Sequence, residues 1–296
     1  MSDRKSVHVL YKNLGETPNE CILRFKKDNP EYADEAMTYA GRLDPMAEGV
    51  LIVLSHEELQ NKDKYLNLQK TYEFEILWGF ETDTLDVLGL VSSGISFPSQ
   101  VFWGNLSGFA DPANFSSLKK IINGIPLLFS KLLRKAPKEL MISTKFPNDI
   151  TTKDLLKNIG KFEQSYPAYS SKPVDGKPLF QWARECRLGE IEIPKHEVEI
   201  FEIEYLSRRT LSKQDLLKEI EYKISLVSGD FRQEEILERW KKVLNDSEER
   251  DFVLDKISAT VSSGFYIRQF VCDLAKSFDT HALTFHIKRT KVGDYS

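Results

Sequence analysis

The 296-residue sequence has few cysteines and no long apolar segment, and this excludes several common protein classes. Its three cysteines, Cys21, Cys186 and Cys272, form no C-x-x-C pair, so neither a disulfide framework nor a cysteine zinc site is expected. The first twenty residues lack the continuous apolar core of a signal peptide. The longest uncharged stretch, residues 87–110, holds four glycines and a proline and is too polar to cross a bilayer. We therefore expect a cytoplasmic protein without a membrane segment.

Common nucleotide-binding and hydrolase motifs are also missing. The sequence has no G-x-x-x-x-G-K-[ST], no G-x-G-x-x-G, no G-x-S-x-G and no H-E-x-x-H. Its five histidines are scattered and none has the spacing of metal ligands. A zinc enzyme is therefore not expected. The net charge of −4, from 41 basic and 45 acidic residues, excludes a protein that coats nucleic acid through bulk positive charge, although a local basic face stays open.

What is present predicts a folded α+β domain. Residues 70–79 alternate, with Tyr72, Phe74 and Ile76 on one face, which predicts a half-buried strand. A helix should follow Gly264, because apolar residues then recur at helical spacing, and Arg268 would lie in its first turn at the rim of the apolar stripe. Strands are also predicted at residues 6–11, 190–206 and 251–262. Strands separated by helices and long connections favour a mixed, mostly antiparallel sheet over a doubly wound one.

Four clusters could carry chemistry, and each has a plain structural explanation as well. Asp44, in the run Gly-Arg-Leu-Asp-Pro, could be a fixed but reachable carboxylate or an ordinary Asp-Pro turn. The segment from Thr82 to Gly89 could bind Mg²⁺ or simply satisfy its own backbone donors. Residues 164–184 interleave aromatic and basic side chains, as RNA-binding surfaces do, or form a loop before a helix. Residues 263–268 could equally be a strand-to-helix turn with an exposed arginine.

Taken in order, the four clusters resemble the motifs of the TruB family of tRNA pseudouridine synthases. Residues 43–51 are similar to the family's G-x-L-D-P-x-A-x-G-V-L, and Lys70 and Tyr72 to its K-x-Y strand. Residues 164–184 resemble Q-x-P-P-x-Y-S with the helix after it, and residues 263–268 resemble S-K-G-T-Y-I-R. The resemblance implies the pseudouridine synthase fold. It spans about 186 residues and leaves apparent insertions near 96–161 and 207–250 in a single domain, with no C-terminal PUA domain expected.

The resemblance also implies roles for particular residues. Asp44 would be the catalytic carboxylate, Arg268 its buried ionic partner, and Tyr72 the ring that stacks on the uracil and assists proton removal at C5. A tRNA would be the partner, with a uridine of the TΨC loop, position 55 of tRNA, as the substrate. The implied reaction needs neither a metal nor another cofactor, and we expect a monomer. The residues expected to bind substrate are Tyr39, Arg42, Lys70, Tyr169, Lys172, Ile287, Lys288 and Arg289.

One departure from the family pattern leaves the RNA substrate and its mode of entry open. The family has G-H-T-G before L-D-P, whereas Tyr39 stands at the position of the histidine. Tyr39 would then stack in its place, or the RNA enters differently. The run Gly41 to Asp44 is also similar to motifs of ribosomal-RNA pseudouridine synthases, so ribosomal RNA is a second candidate substrate.

Two further functions stay compatible with the sequence. One is a non-catalytic RNA-binding or tRNA-folding protein of the same fold, although such a protein has little use for Asp44, Tyr72 and Arg268 together. The second is a Mg²⁺-dependent phosphotransferase that would use Asp44, Asp83 and Asp86.

Overall fold

The structure is a computed structural model that describes residues 5–92, 152–247 and 251–296. All of these residues fall in one compact unit, which is formed by residues 1–96 and 146–296. Most of the first predicted insertion, near 96–161, therefore lies outside the described residues. The single-domain organisation of the whole chain stays a prediction.

A seven-strand path with one side strand forms the central sheet. The strands are β1 (Val7–Lys12), β2 (Met37–Ala40), β3 (Ala47–Ser55), β4 (Lys70–Trp78), β5 (Gly160–Ser165), β8 (Lys195–Ser212), β9 (Asp251–Val261) and β10 (Ala282–Val292), and a small separate hairpin pairs β6 (Pro173–Val174) with β7 (Lys177–Pro178). The order of the sheet is β1-β3-β10-β4-β9-β8-β5, with β2 paired to the end of β3. Every pairing is antiparallel except that of β10 with β3.

Helices connect the strands within the described residues. They are α1 (Pro18–Asp28), α2 (Lys62–Leu66), α3 (Thr152–Leu156), α4 (Leu179–Arg184), α5 (Lys213–Ser225), α6 (Gln233–Asp246) and α7 (Ile267–Ser277), with short 3-10 turns at Pro30–Tyr32, His56–Leu59 and Leu188–Glu190. The start of α1 shows how local sequence sets an element. Thr17 accepts from the backbone N–H of Glu20 while the Glu20 carboxylate accepts from that of Thr17, and Pro18 opens the helix.

The two faces of the sheet are covered by different helices. On one face Phe74 and Ile76 of β4 pack with Phe270 and Leu274 of α7. Adjacent residues of a strand point to opposite faces, so Leu77 belongs to a second core, which it shares with residues of β10, α5 and α6. The predicted α+β class with a mixed, mostly antiparallel sheet is confirmed.

The second predicted insertion, 207–250, is more integrated than its sequence suggests. Its first six residues extend β8 to Ser212 and pair with β9, so the predicted strand 190–206 begins and ends too early. The helices that follow bury Ile220 and Trp240 completely in the second core. Residues 207–247 therefore help to cover the sheet instead of projecting from it.

Candidate active site

A cavity of about 890 Å³ opens where the loop before β3, the strands β4 and β10 and the start of α7 meet. Asp44, Tyr72, Arg268 and Ile287 all line it. These residues are far apart in the chain, and the sheet order brings them together, because β10 lies between β3 and β4. The cavity is therefore the place where residues of the separate sequence clusters meet directly.

The Asp44 carboxylate lies on a turn whose shape depends on two glycines. The N–H of Ala47 donates to the carbonyl of Asp44 at 3.0 Å, which closes the turn. Gly41 precedes it at φ +88°, and Gly49 follows it at φ +110°. A Cβ on Gly49 would lie 2.1 Å from the Arg289 carbonyl oxygen, so only glycine allows the close approach of β10 to β3. The turn presents the Asp44 side chain to the cavity with 34% of its surface exposed.

Arg268 pairs with this carboxylate from a buried position. It lies in the first turn of α7, and its side chain is only 5% exposed. Its Nε donates to Oδ2 of Asp44 at 2.9 Å, and its Nη2 lies 2.8 Å from the same oxygen. Both contacts end on one carboxylate oxygen, so the pair is not the two-oxygen fork expected for a bidentate arginine. The arginine is buried, and the aspartate is the partner that faces the cavity.

The rest of the Arg268 guanidinium is also satisfied. Nη1 donates to the Thr84 carbonyl at 2.6 Å, and Nη2 donates to the Tyr169 carbonyl at 3.2 Å. Asp86 also lies close, with its Oδ2 at 3.8 Å from Nε. Burial disfavours the guanidinium charge, but Asp44 and Asp86 together raise the pKa of Arg268 overall. One arginine therefore serves two carboxylates, and the turn after β4 fixes its orientation.

Asp86 is a site residue for which the sequence offered two interpretations, a Mg²⁺ ligand or part of a turn that satisfies its own backbone donors. It is almost fully buried, and its Oδ1 accepts from the hydroxyl of Thr84 at 2.7 Å and from the N–H of Leu88 at 3.0 Å. Burial raises the pKa of Asp86, although Arg268 and the Thr84 hydroxyl act in the opposite direction. The acidic turn after β4 thus satisfies its own backbone donors and also braces Arg268.

Tyr72 and Ile287 form a wall of the cavity from neighbouring strands. Tyr72 is opposite Arg289 in the antiparallel pairing of β4 with β10, and Ile287 is opposite Phe74. Tyr72 is 9% exposed and packs in the core beneath the cavity. The alternation read from the sequence is confirmed, because Tyr72, Phe74 and Ile76 are all buried on one face. The wall is apolar apart from the phenol.

Two of the cations expected to bind substrate instead bind the protein backbone. Arg289 is 1% exposed and donates to the carbonyls of Val50 at 2.7 Å and Gly41 at 3.1 Å, which clamps both ends of the Asp44 turn. Lys70 is 5% exposed and donates through Nζ to the carbonyl of Leu68 at 2.6 Å. Burial, and secondarily Arg289, lowers the pKa of Lys70 to about 8. Both side chains line the cavity, but their N–H groups bind backbone carbonyls of the cavity wall.

Three more of the residues expected to bind substrate lie at the mouth of the cavity. Arg42 hydrogen-bonds to the Ser171 hydroxyl, and the Lys172 ammonium lies 4.9 Å from the centre of the Tyr166 ring. Tyr39 lines the same cavity, with the Lys62 ammonium 5.5 Å from its ring centre. These groups combine positive charge with aromatic faces.

Lys288 is the one predicted substrate-binding residue that the structure does not bring to the cavity. Ile287 and Arg289 line the cavity. Because neighbouring residues of a strand alternate in direction, Lys288 points to the opposite face of β10. Its ammonium lies 5.9 Å from the ring centre of Tyr11. Lys288 therefore does not face the cavity, and the expectation that it binds substrate through RNA phosphates stays a prediction.

Sequence reasoning missed an aromatic group at the rim. The rings of Tyr166 and His196 stack at 4.1 Å, and Tyr266 meets Tyr166 edge-on at 5.6 Å. Gln164 fixes this arrangement, since its side-chain amide both donates to and accepts from the backbone of Tyr266, at 3.1 and 2.9 Å. Burial and the nearby Asp44 charge raise the pKa of Tyr266. The aromatic interleaving of residues 164–184 was the available signal.

Tyr169 is held at the cavity by the acidic turn. Its hydroxyl donates to Oδ2 of Asp83 at 3.0 Å, and the same carboxylate pairs with Arg232 at 2.9 Å. Burial and the Asp83 charge raise the pKa of Tyr169. Asp83 therefore faces Tyr169 and Arg232, while Asp44 and Asp86 face Arg268, so the three acids do not form one cluster. In the described ranges no group of three or more His, Cys, Asp or Glu residues could hold a metal ion.

Membrane insertion through a helix finds no support in the part of the chain that the structure describes. None of the helices there has the length and apolar character needed to cross a bilayer.

Comparison with known proteins gives a family match. Residues 31–101 match the model described as TruB family pseudouridylate synthase, N-terminal domain. Curated relatives named tRNA pseudouridine synthase B include that of Malacoplasma penetrans, 22% identical over 94% of this chain and 80% of that protein, and that of Ureaplasma urealyticum, 25% identical over 99% and 88%. The relative from Caldanaerobacter subterraneus is 28% identical over 59% of this chain and 45% of its own length.

Among solved structures, the Crystal Structure of a Cbf5-Nop10-Gar1 Complex contains a similar chain. The TM-score is 0.48 with 14% sequence identity, and the match covers 98% of this chain and 50% of that one. The residues matched by the family model, 31–101, contain Asp44, Tyr72 and Asp86, which the cavity brings together with Arg268.

Proposed function

We propose that this chain is a pseudouridylate synthase of the TruB family that isomerises a uridine of tRNA to pseudouridine, and its family-model match and its curated relatives support this proposal. The observation that carries this proposal is the pair of Asp44 and Arg268 beside Tyr72 in one cavity. The substrate position we propose is the uridine of the TΨC loop, position 55 of tRNA.

The reaction breaks the N1–C1′ bond, turns the uracil, joins C5 to C1′ and moves the proton of C5 to N1 or solvent. It is an isomerisation, so atoms and electrons balance without a second reactant. Asp44 is the carboxylate that attacks the nucleoside or stabilises the charge that develops when the glycosidic bond breaks. Arg268 orients Asp44 and pairs with its charge from a buried position, and Asp86 and the Thr84 carbonyl keep Arg268 in place.

The uridine must leave the RNA stack to reach Asp44, because a base within a duplex or stacked loop hides its glycosidic bond. Tyr72 and Ile287 supply the apolar wall against which the extruded uracil packs. The Tyr72 hydroxyl is the group we assign to proton removal at C5. A cavity of about 890 Å³ exceeds what one nucleotide fills and leaves room for its neighbours in the strand.

The RNA backbone would lie along the mouth of the cavity. Arg42, Lys172 and Arg184 all line it, and Lys172 and Arg184 lie near the rings of Tyr166 and Phe180. Basic groups beside aromatic rings suit phosphates and unstacked bases together. Such a local face reconciles RNA binding with the net charge of −4.

The test is to incubate the protein with an unmodified tRNA transcript and map pseudouridine chemically. We expect product at the uridine of the TΨC loop. A matched incubation with ribosomal RNA fragments tests the second substrate class, and product there alone would overturn the proposed substrate. Absence of product on both RNAs, with tight tRNA binding, would instead support a non-catalytic RNA-binding protein.

A further inference from the structure

The loop between α5 and α6, residues 226–232, forms a wall of the cavity that no family motif covers. Phe231 and Arg232 line the cavity together with Asp44 and Tyr169. Their segment lies in the part of the chain that the sequence marked as an insertion. The interhelical loop, as we call residues 226–232, therefore brings residues from outside the four sequence clusters to the proposed reaction site.

The interhelical loop has a defined conformation because side chains tie it together. Gln233 donates to the carbonyls of Val227 at 3.1 Å and Gly229 at 2.7 Å, and its side-chain oxygen accepts from the N–H of Phe231 at 2.9 Å. Arg232 has the left-handed conformation, at φ +62°, and its N–H donates to Asp230. These bonds fix the two residues that face the cavity.

The loop is also anchored to the start of α1. The Ser228 hydroxyl donates to the Glu20 carboxylate at 2.6 Å. A Cβ on Gly15 would lie 2.4 Å from the Leu226 carbonyl oxygen, so the loop backbone packs directly on the turn after β1. That turn donates from the N–H of Gly15 to the carbonyl of Pro45, beside Asp44, at 2.9 Å. The interhelical loop is thus tied to the segment that carries Asp44.

Arg232 connects the loop to the residues around Arg268. Its Nη1 lies 2.9 Å from Oδ2 of Asp83, and its guanidinium lies 5.5 Å from the centre of the Tyr169 ring. Tyr169 donates its hydroxyl to the same Asp83 oxygen, and its carbonyl accepts from Arg268. Arg232 therefore restrains the Tyr169 ring from one side while Asp83 holds its hydroxyl.

Resting on the proposed function, we propose that the interhelical loop seats the RNA nucleotide in the cavity. Phe231 supplies an apolar face for the extruded nucleotide or its neighbour in the strand, and Arg232 is a positioning residue that sets the Tyr169 ring against the RNA. The loop acts on substrate seating and not on the bond-breaking step, since neither side chain is among the contacts of the Asp44 carboxylate with Arg268.

The experiment measures KM and kcat for an unmodified tRNA transcript in Arg232→Ala, Arg232→Lys and Phe231→Ala. We expect Arg232→Ala to raise KM about tenfold, equivalent to about 1.4 kcal/mol, with kcat changed less than about threefold. Lysine keeps a positive charge that can pair with Asp83, but it lacks the planar guanidinium over the Tyr169 ring. Arg232→Lys should therefore raise KM less than Arg232→Ala does. Phe231→Ala should also raise KM.

The matched control is Arg239→Ala, which removes an exposed arginine of α6 that pairs with Glu235 one turn away. It should leave both constants unchanged. Equal KM values for wild type, Arg232→Ala and Arg239→Ala would overturn the inference, as would a fall in kcat alone. If the wild type forms no pseudouridine, the proposed function fails, and tRNA binding measured by fluorescence anisotropy still tests the loop, because Arg232→Ala must weaken it and Arg239→Ala must not.

Discussion

Two aspartate–arginine pairs of this protein are built in opposite ways. In the first, Arg268 is buried and the carboxylate of Asp44 is 34% exposed at the cavity. In the second, Asp255 is completely buried, and Arg208 is the partner that is 27% exposed. Both pairs have nitrogen to oxygen distances below 3 Å. Pairing alone therefore does not distinguish a reactive carboxylate from a structural one.

The difference lies in how fully each carboxylate is used. Asp255 accepts from the Trp78 indole at 2.9 Å, from the Tyr205 hydroxyl at 3.0 Å, and from Nε and Nη2 of Arg208 on its two separate oxygens, at 2.8 and 2.9 Å. The contacts of Arg268 with Asp44 both end on Oδ2. A buried charge with all its lone pairs satisfied stabilises a fold, whereas a carboxylate oriented from one side and open on the other can react.

Replacing each arginine in turn should give the largest difference between the reactive and the structural pair. Arg268→Met leaves Asp44 and Asp86 without their shared cation, so we expect pseudouridine formation to fall by about 10³-fold or more. Arg208→Met should cost about 3 kcal/mol of unfolding free energy, because it leaves the buried Asp255 charge uncompensated, but turnover per folded molecule should stay near wild type. Single-turnover kinetics and urea unfolding measure the two quantities. Equal losses of activity in Arg268→Met and Arg208→Met would contradict the distinction between a catalytic and a structural pair.

Tyr72→Phe tests whether the cavity wall takes part in chemistry. Phenylalanine keeps the ring and its packing on Phe74, so tRNA binding should remain within about twofold of wild type. Loss of the hydroxyl should lower the single-turnover rate by about 10²-fold if it removes the C5 proton. An unchanged rate would restrict Tyr72 to packing against the uracil.

Asp255→Asn should lower stability and leave turnover unchanged, whereas a change at Asp44 should lower turnover and leave stability unchanged. The amide replaces the charge opposite Arg208 and offers donors where Trp78 and Tyr205 already donate, so we expect about 3 kcal/mol of lost stability. Below the unfolding transition, turnover per folded molecule should change by less than about twofold, since Asp255 lies outside the cavity lining. Thermal unfolding and product mapping together give the answer, and a specific loss of turnover would place Asp255 in the active site.

The smallest expected effect is a pH dependence due to Lys70. Burial lowers its pKa from 10.5 to about 8, so the folded protein binds fewer protons than the unfolded chain between these values. Stability should therefore rise with pH from about 8 to 10.5, by no more than about 3 kcal/mol. Lys70→Met removes this contribution, and urea unfolding at pH 7.5 and 10 compares the two proteins. Equal changes of stability with pH in the two proteins would show that folding does not lower the pKa of Lys70.

Local pattern was sufficient for the elements that carry the site. Alternation located the Tyr72 face of β4, and helical spacing put Arg268 in the first turn of α7. Each of these signals depends on residues close together in the chain. The resemblance of the motifs then named Asp44 and Arg268 as partners, and the structure places their charged groups 2.8 Å apart.

The burial of several charged residues depends instead on contacts between distant segments. Arg289 and Lys70 look like exposed cations in sequence, and only the carbonyls that surround them make their burial possible. The charged residues Arg208 and Arg209 look like part of an insertion, yet they lie in β8. Arg208 pairs with Asp255 on the neighbouring strand β9, and Arg209 pairs with Glu75 on β4, one strand further along the sheet. Arg232 reaches Tyr169 only because two helices fold back over the sheet.

The most direct test of Asp44 as the reacting carboxylate is pseudouridine formation by Asp44→Asn on unmodified tRNA, measured beside Asp255→Asn. We predict no detectable product from Asp44→Asn, with melting temperature and tRNA binding close to wild type, because the amide keeps the shape but cannot attack or stabilise positive charge. Undiminished product from Asp44→Asn would contradict the assignment of Asp44 as the reacting carboxylate.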